Sequence, residues 1–394
     1  MLRPAMRAAA IAPFEVMRIL ERAKALEAEG RDIIHMEVGE PRFALPAPLL
    51  EAAHRALATE SMGYTPSAGL PALRRAIAAY YGARYDIELD PARVVLTTGG
   101  SAALQLALAA VLDAGDGVMV TEPGYPCHRH MAAVVGGVVH ALTLRAASGW
   151  RLGAEQLAAE WRSGTRAVML TTPCNPTGVV LGRSELASIM DVVRGQAAAL
   201  LVDETYQGLV YDADDVTALA SGDDGLFVVN SFSKYFGLTG WRLGWLVVPS
   251  GWAPVVERLA QNLYLAPPTL SQHIALAAFE PEVLSLLGER RAVFRERRDL
   301  LLRALPPLGF PLPTIPQGAF YLFTGLPPGH DDASVLAAAM LEAAGVAVTP
   351  GSDFGGVDGA RMLRFAYTEE TPRLRLGVER MRDFLAGEPP AARA

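Results

Sequence analysis

The sequence predicts an α/β fold, with a mostly parallel sheet of the seven-stranded type, helices on both faces, and a smaller α+β domain formed from both termini. Between residues 94 and 248, short apolar runs alternate with helical patterns, an order typical of parallel sheets. The runs are almost continuously apolar, which indicates strands covered on both faces. We expect residues 1–45 to join the small domain, residues 46–282 to form the large domain, and residues 283–394 to complete the small domain.

The individual elements follow from apolar spacing and turn residues. Helices are predicted where apolar residues recur at helical spacing, over residues 13–30, 46–59, 71–80, 100–112, 152–161, 184–194, 271–279, 281–302, 334–344 and 371–386. Strands are predicted at short apolar runs, over residues 33–38, 94–98, 117–120, 137–144, 167–172, 198–206, 226–229, 243–248, 318–323, 346–348 and 362–367. Ser184 is the expected cap of its helix.

Composition excludes several classes of function. The chain has 394 residues, of which 51% are hydrophobic and 20% charged, as in globular proteins with a large core. A net charge of −7 disfavours nucleic acid as a partner, and no apolar run is long enough to cross a membrane. Two cysteines cannot form a disulfide framework and are typical of the reducing cytoplasm. We expect disorder only in the tail from Gly387 onward.

A lysine among hydroxyls, glycines and aromatic residues is the most informative feature. Lys234 follows an apolar strand, and apolar surroundings lower the pKa of an amine and make it nucleophilic. Such a lysine suits covalent attachment of an aldehyde cofactor. Ser231, Ser233 and Arg242 supply hydroxyl donors and a cation for a phosphate group. The alternative is a lysine that merely satisfies its hydrogen bonds in a tight turn.

Glycines also interrupt the chain between a strand and a helix at Gly99, Gly100 and Ser101. Free backbone N–H groups and the helix dipole at such a helix start form an anion site. The dinucleotide pattern needs a third glycine that is missing here, so a nicotinamide dehydrogenase is disfavoured.

Other polar residues also follow predicted strands. In a parallel sheet these ends meet at one edge, so Tyr125, Asn175, Asp203 and Tyr206 should converge with Lys234. A buried Asp203 needs a partner, which is either a protonated ring nitrogen or a structural arginine. A metal site built from Cys127, His128 and His130 is disfavoured, because the sequence has no further cluster of metal ligands.

The sequence resembles the class I/II aminotransferases, the fold-type I enzymes that use pyridoxal 5′-phosphate (PLP). Separate motifs carry this resemblance over nearly the whole chain and in the order of the family. They are Gly39-Glu40-Pro41, Tyr64-Thr65-Pro66, Asn175-Pro176-Thr177-Gly178, Asp203-Glu204-Thr205-Tyr206, and Ser231-Phe232-Ser233-Lys234 with Gly240-Trp241-Arg242.

The resemblance implies a role for each matching residue. Lys234 would hold PLP as an internal aldimine and move the α-proton, and Asp203 would pair with the pyridinium nitrogen. Tyr206 and Asn175 would contact the phenolic oxygen of the cofactor, while Tyr125 would stack on its ring. The phosphate would be bound by the Gly100 and Ser101 backbone, Ser231, Ser233, Arg242 and, from the neighbouring subunit of a homodimer, Tyr64.

The resemblance also implies which residues bind the substrate. Arg364 would bind the α-carboxylate, with Arg361 as a competitor for that role, and Gly39 and Asn175 would lie beside it. Arg42 departs from the acidic residue of many relatives, and we expect it to face solvent. Glu122-Pro123 and Asn175-Pro176 are candidate cis bonds.

The implied activity is transfer of an amino group from an L-amino acid to a 2-oxo acid in the cytoplasm. A carbon–sulfur β-lyase uses the same Lys, Asp and Tyr set and is the alternative. A PLP-binding transcription regulator is disfavoured, because the chain is acidic and is expected to start directly with the enzyme-like segment.

Overall fold

Twelve strands occur within residues 2–222 and 224–387, the parts of the chain described by this computed structural model. They are β1 (Ile34–His35), β2 (Val94–Thr97), β3 (Gly117–Glu122), β4 (Val138–Thr143), β5 (Thr165–Thr171), β6 (Ala199–Asp203), β7 (Leu226–Ser231), β8 (Gly244–Val247), β9 (Tyr321–Gly325), β10 (Val346–Ala347), β11 (Thr349–Pro350) and β12 (Met362–Ala366). The tail that we expect to be disordered lies outside the described residues beyond Gly387.

The helices lie between and after these strands. They are α1 (Met6–Ala9), α2 (Glu15–Ala28), α3 (Ala47–Thr59), α4 (Pro71–Tyr85), α5 (Gly100–Val111), α6 (Pro126–Val134), α7 (Ala154–Ala159), α8 (Arg183–Gly195), α9 (Ala253–Leu263), α10 (Thr269–Ala277), α11 (Pro281–Ala304), α12 (Ala333–Ala339) and α13 (Thr371–Leu385). Within the described residues, none has both the length and the apolar character that crossing a bilayer requires.

The large sheet has seven strands in the order β2-β8-β7-β6-β5-β3-β4. Strands β3 to β7 pair in parallel, while β8 runs antiparallel to both of its neighbours, β7 and β2. The predicted α/β fold with a mostly parallel sheet is therefore confirmed. Because the parallel strands share one direction, their carboxyl ends meet at a single edge.

Alternating side chains of the sheet build a core on each face. Phe227 and Val229 of β7 pack with α5 and α9, whereas Leu226 and Val228 pack on the opposite face with α4 and α8. This alternation follows from strand geometry, since successive side chains point to opposite faces. It explains why the strands read as continuous apolar runs.

The two ends of the chain meet beside the large sheet. Strand β1, near the N-terminus, pairs in parallel with β10, and β11, β12 and β9 form a separate antiparallel sheet. These contacts agree with a small α+β unit that includes the N-terminal segment. The exact domain boundaries stay predictions.

Some local features differ from the sequence predictions. Helices α1, α6 and α9 were not predicted; in α6 the segment starts with Pro126 and continues with Cys, His and Arg, which hides its helical period. The cap predicted at Ser184 is wrong, because α8 begins one residue earlier and Gly182 precedes it. There the Glu185 carboxylate accepts from the Gly182 N–H at 2.8 Å and so caps the helix.

Glu204 joins the end of β6 to the turn at Ala218–Ser221. Its buried carboxylate accepts hydrogen bonds from the Ala218 N–H, at 2.6 Å, and from the Thr217 hydroxyl. Burial raises the pKa of Glu204 to about 8, although both donors oppose the shift. Glu204 therefore keeps its proton in the folded chain at a pH where the unfolded chain has lost it.

We expect Glu204→Gln to remove a pH dependence of the free energy of unfolding. Between the ordinary pKa of 4.5 and the folded value of about 8, the folded state binds more protons, so wild-type stability falls as pH rises. This group contributes up to about 1.4 kcal/mol per pH unit to that fall. Urea denaturation at several pH values should show the variant gaining stability relative to wild type as pH rises. If the difference in the free energy of unfolding between variant and wild type does not change with pH, as expected for the exposed control Glu88→Gln, the raised pKa of Glu204 is contradicted.

Candidate active site

A cavity of about 220 Å³ lies where the parallel strands of the large sheet end. The predicted residues that line it from this edge are Gly100, Ser101, Tyr125, Asn175, Asp203, Tyr206, Ser231, Ser233, Lys234 and Arg242. Gly39 and Arg364 line it from the two ends of the chain. Tyr64 does not line the cavity and is 85% exposed. The structure thus brings together every predicted site residue except Tyr64.

One end of the cavity is rich in donors for an anion. Gly100 and Ser101 begin α5, so their backbone N–H groups have no helical partner and lie at the positive end of the helix dipole. The Ser231 and Ser233 hydroxyl oxygens lie 2.9 Å apart beside them. This combination of backbone and hydroxyl donors suits a phosphate group.

Arg242 adds a positive charge to the same end. A Cβ atom at Gly99 would lie only 2.9 Å from its Nη2, and Gly99 has a φ of +88°. Any side chain at Gly99 would therefore be strained and would displace the guanidinium. Arg242 Nη1 donates to the Thr239 carbonyl at 3.0 Å, which holds the side chain in place.

Lys234 lies at the centre of the cavity. Its Nζ donates to the Gly39 carbonyl at 2.8 Å. Burial, with the charges of Arg364 and Arg242, lowers the pKa of Lys234 to about 8, against the opposing charges of Glu40 and Asp203. A sizeable neutral fraction of the amine is therefore present near neutral pH, as a nucleophile requires.

Asp203 has a different protein partner from the one expected. Its Oδ1 accepts from the Thr205 N–H at 3.0 Å, and its Oδ2 lies 3.1 Å from His128 Nε2. Both side chains are buried, and because a carboxylate oxygen only accepts, His128 Nε2 is the donor of this hydrogen bond. His128, and not the structural arginine considered from the sequence, is therefore the side-chain partner of Asp203. Asp203 still faces the cavity, where a protonated ring nitrogen can meet it.

The contact between His128 and Asp203 also concerns the metal site of Cys127, His128 and His130, which the sequence disfavours. His128 points to Asp203 and so is directed away from a joint site with Cys127 and His130. Among the described residues, no group of three or more His, Cys, Asp or Glu side chains is placed to hold a metal ion.

Tyr321 is a cavity residue that the sequence did not reveal. Its hydroxyl lies 2.9 Å from the Tyr206 hydroxyl, and burial raises the pKa of both tyrosines, so both are protonated near neutral pH. A Cβ atom at Gly39 would lie 1.7 Å from the Tyr321 hydroxyl oxygen. Only glycine at this position therefore leaves room for the tyrosine pair. A lone tyrosine in an apolar strand, which needs a polar partner when buried, was the available signal.

Arg364 is held firmly on the cavity wall. Its Nη1 donates to Asn175 Oδ1 at 2.9 Å, and Nη2 donates to the Glu37 carbonyl. Its guanidinium also lies over the rings of Tyr321, at 4.3 Å, and Phe354, at 4.7 Å. The buried Nε atom has no hydrogen-bond partner among the described residues, which leaves donor capacity for a carboxylate.

Two further arginines were weighed from the sequence. Arg361 is exposed and lines a separate groove with Pro306 and His330, so the geometry favours Arg364 as the carboxylate binder. Arg42 is exposed to solvent, as expected, and it also forms an ion pair with the buried carboxylate of Glu369. Arg42 does not line the cavity.

The loops that carry Tyr125 and Asn175 contain cis peptide bonds. Both predicted bonds, Glu122-Pro123 and Asn175-Pro176, are cis, and Thr172-Pro173 is cis as well. Thr171, Thr205 and Thr239 also line the cavity, as do apolar residues near the N-terminus. The sequence did not single these out, because isolated threonines and apolar residues carry no distinctive local pattern.

Comparison with known proteins agrees with this geometry. Residues 31–380 match the family model described as "Aminotransferase class I and II". The chain belongs to this family. It is 35% identical to a valine–pyruvate aminotransferase of Mycobacterium tuberculosis, over 98% of this chain and 99% of the relative. It is 31% identical to an aspartate aminotransferase of Geobacillus stearothermophilus, over 98% of this chain and 99% of the relative.

Solved structures of aminotransferases share the fold. A crystal structure of an aminotransferase from Mycobacterium tuberculosis matches with a TM-score of 0.94 and 34% identity, covering 98% of this chain and 100% of that chain. Aspartate aminotransferase from Thermus thermophilus with maleate matches with a TM-score of 0.92 and 30% identity, covering 97% and 99%. The protein is therefore an aminotransferase, which transfers an amino group between an amino acid and a 2-oxo acid.

Class I and II aminotransferases use PLP, and the cavity residues fit this cofactor. The anion end matches the phosphate, the buried Asp203 carboxylate matches a ring nitrogen, and Lys234 matches the aldehyde. The fit at the aldehyde is distinctive, because the sequence contains only two lysines, Lys24 and Lys234. Lys24 is exposed on α2, so Lys234 is the lysine available in the cavity.

The two lysines allow a direct test of the Lys234 amine. In the cofactor-free protein, acylation of Lys234 should rise with pH and level off above a pKa of about 8, because the neutral amine is the nucleophile. Peptide mass spectrometry separates the two labelled sites, and Lys24, with 62% side-chain exposure, reports the pH dependence of the reagent. If the rate of acylation of Lys234 rises with pH in parallel with that of Lys24 over the whole alkaline range, the lowered pKa of Lys234 is contradicted.

Proposed function

We propose that this aminotransferase binds PLP at Lys234 and uses the cavity residues to move one amino group between two acids. The observation that carries the proposal is the convergence of a low-pKa amine, a buried carboxylate, an anion-binding end and an arginine with donor capacity in one cavity. Each group meets one chemical feature of the cofactor or of an amino acid.

Residues of this chain would hold each part of the cofactor. The Gly100 and Ser101 N–H groups, with Arg242, would bind the phosphate, and Asp203, supported by His128, would keep the ring nitrogen protonated. When bound, PLP supplies an aldehyde for the amino group and a ring that accepts the electron pair of the α-carbon. Tyr125 would cover the ring face, and Tyr206 and Asn175 would donate to the phenolic oxygen.

The same residues handle the substrate. Arg364 holds the α-carboxylate, and the planar guanidinium fixes the orientation of the α-carbon. The neutral Lys234 amine would act as the general base that takes up the α-proton of the substrate and holds it at Nζ. The amino acid leaves as a 2-oxo acid, and a second 2-oxo acid takes up the amino group in the reverse order. The exchange needs no external oxidant or reductant, because one acid is oxidised as the other is reduced.

A carbon–sulfur β-lyase remains the second candidate, because it uses the same Lys, Asp and Tyr set. The relatives compared above are aminotransferases, and this favours transamination. The two reactions differ in their requirement for a 2-oxo acid, since a lyase releases pyruvate and ammonia from cystathionine without one.

A homodimer is part of the proposal, and Tyr64 supports it. The Tyr64 side chain is 85% exposed, and Leu57 and Met62, which precede it in the chain, are exposed apolar residues. Thr269 Oγ1 donates to the Gly63 carbonyl, and Leu265, shortly before Thr269 in the chain, is exposed as well. A contact with a second copy would cover such exposed apolar side chains. Across such a contact, Tyr64 would reach the phosphate of the neighbouring site.

A cytoplasmic location also belongs to the proposal. Cys127 and Cys174 are both free thiols, as expected for a protein of a reducing compartment.

The central test is spectroscopic. The purified protein with PLP should show an absorbance band of bound cofactor, and an amino donor should convert it to the amine form. Lys234→Ala should lose the band and lower the transamination rate by at least about 1000-fold, because it removes both the attachment point and the base. Retained transamination in Lys234→Ala would overturn the assignment. Pyruvate released from cystathionine in the absence of any 2-oxo acid would select the lyase instead.

The role of Tyr64 is testable by mixing subunits. Tyr64→Phe should raise the dissociation constant of PLP about tenfold, because a hydrogen bond to a charged phosphate is lost. Inactive Lys234→Ala subunits mixed with Tyr64→Phe subunits should regain tight cofactor binding in half of the sites of each mixed dimer. That site combines Lys234 of one chain with Tyr64 of the other. No gain on mixing would show that Tyr64 does not act across an interface.

A further inference from the structure

Two buried titratable side chains of the N-terminal segment lie outside the cavity. His35 of β1 and Glu37 are both buried, and neither lines the cavity. Glu37 directly precedes Val38 and Gly39, which do line it. A buried charge is strongly unfavourable unless it is paired, so the partners of His35 and Glu37 indicate what these side chains do in the fold.

His35 lies between two carboxylates. Its Nδ1 atom is 2.7 Å from Glu37 Oε1, and its Nε2 atom is 3.0 Å from Glu27 Oε1 of α2. Because a carboxylate oxygen only accepts, both contacts are hydrogen bonds when both ring nitrogens carry a proton. Burial alone would lower the pKa of His35, but the hydrogen bond and charge of Glu37, with the bond to Glu27, raise it above the ordinary value of 6.5. The arrangement therefore favours the imidazolium form.

The carboxylate of Glu37 depends on His35. Its second oxygen, Oε2, has no hydrogen-bond partner among the described residues. The other charged side chains beside this cluster each have a carboxylate partner other than Glu37: Lys24 pairs with Glu27, Arg42 with Glu369, and Arg373 and Arg380 with Asp32. Arg42 also opposes protonation of His35 through its charge.

The backbone of Glu37 holds the arginine that would bind the substrate carboxylate. Its carbonyl oxygen accepts from Arg364 Nη2 and, at 3.1 Å, from the Thr349 hydroxyl. Thr349 of β11 lies opposite Arg364 of β12, and Arg364 Nη2 donates to Thr349 Oγ1 at 3.3 Å as well. The Glu37 carbonyl and Thr349 therefore fix one nitrogen of the guanidinium, while Asn175 accepts from the other.

We propose that, given the function proposed above, His35 and Glu37 are positioning residues for Arg364. The imidazolium of His35 fixes the Glu37 side chain, and the backbone carbonyl of Glu37 aims the guanidinium at the α-carboxylate of the substrate. Glu27 completes the cluster from α2. A guanidinium binds a carboxylate best through two parallel hydrogen bonds, so a small rotation of Arg364 weakens both.

The charge of His35 is tested by NMR on the PLP-loaded enzyme with ¹³C-labelled histidine rings. The His35 signal is the one lost in His35→Gln. We expect its titration midpoint to lie above 6.5, and to fall in Glu37→Gln and Glu27→Gln because each removes a negative charge. Glu21→Gln, at an exposed residue of α2, is the matched control and should leave the midpoint unchanged. A wild-type midpoint at or below 6.5 would overturn the proposal.

Binding of a simple carboxylate tests the effect on Arg364. Propanoate is alanine without its amino group, so calorimetry on the PLP-loaded enzyme measures the carboxylate contact alone. We expect Glu37→Ala to raise the dissociation constant of propanoate about tenfold. Glu37→Gln should restore most of this loss, because its amide oxygen still accepts from His35 Nδ1. The dissociation constant of PLP should change less than about twofold in both variants, since its binding residues lie along the large sheet.

Arg364→Leu separates this inference from the proposed function. We expect this variant to lose measurable binding of propanoate. If propanoate does not bind the wild type, or binds Arg364→Leu equally well, Arg364 is not the carboxylate binder and the proposed function fails at that residue. If Arg364→Leu loses binding while Glu37→Ala keeps it, the positioning role alone is overturned. Equal losses of propanoate and PLP in Glu37→Ala would show a general distortion of the fold and also overturn that role.

Discussion

The register of the parallel strands is the constraint on which the site depends. Thr171 of β5 lies opposite Asp203 of β6, which in turn lies opposite Val229 of β7, two residues before Ser231. Hydrogen bonds along the whole length of each strand hold these positions. The groups that would meet the ring, the phosphate and the aldehyde therefore share one edge, at the strand ends or in the short connections that follow them.

The properties of that edge depend on the chain ends that cover it. Gly39 and Arg364 come from segments at opposite ends of the sequence, and both act on Lys234, one through its carbonyl and the other through its charge. Burial is the largest cause of the low pKa of Lys234, and the segments that carry Gly39 and Arg364 help to enclose the amine. Folding of the small unit and activation of the lysine are thus linked.

The sequence predicted most of the fold and the positions of the polar strand ends, because both depend on local patterns. It did not predict the contacts between side chains of distant segments. His128 and Asp203 are 75 residues apart, and Tyr206 and Tyr321 are 115 residues apart. Nothing local marks such pairs, and in α6 the polar residues also hide the helix that carries His128. The Ser184 cap failed for a local reason, since α8 begins at Arg183 and the Glu185 carboxylate caps that helix end.

The residues that would hold the cofactor and the apolar residues of the cavity lie on different parts of the structure. The groups that serve the cofactor follow strands of the large sheet, where a substitution would disturb a fixed register. The apolar cavity residues Val16 and Met17 lie on the first turn of α2. Asp353 Oδ1 accepts from the Glu15 N–H at the start of this turn, and the rings of Phe14 and Tyr125 pack in a T-shaped arrangement. Side chains on one helix turn can change without altering strand pairing. This separation lets one scaffold keep its chemistry while its substrate preference varies, which is why family membership alone does not name the substrate.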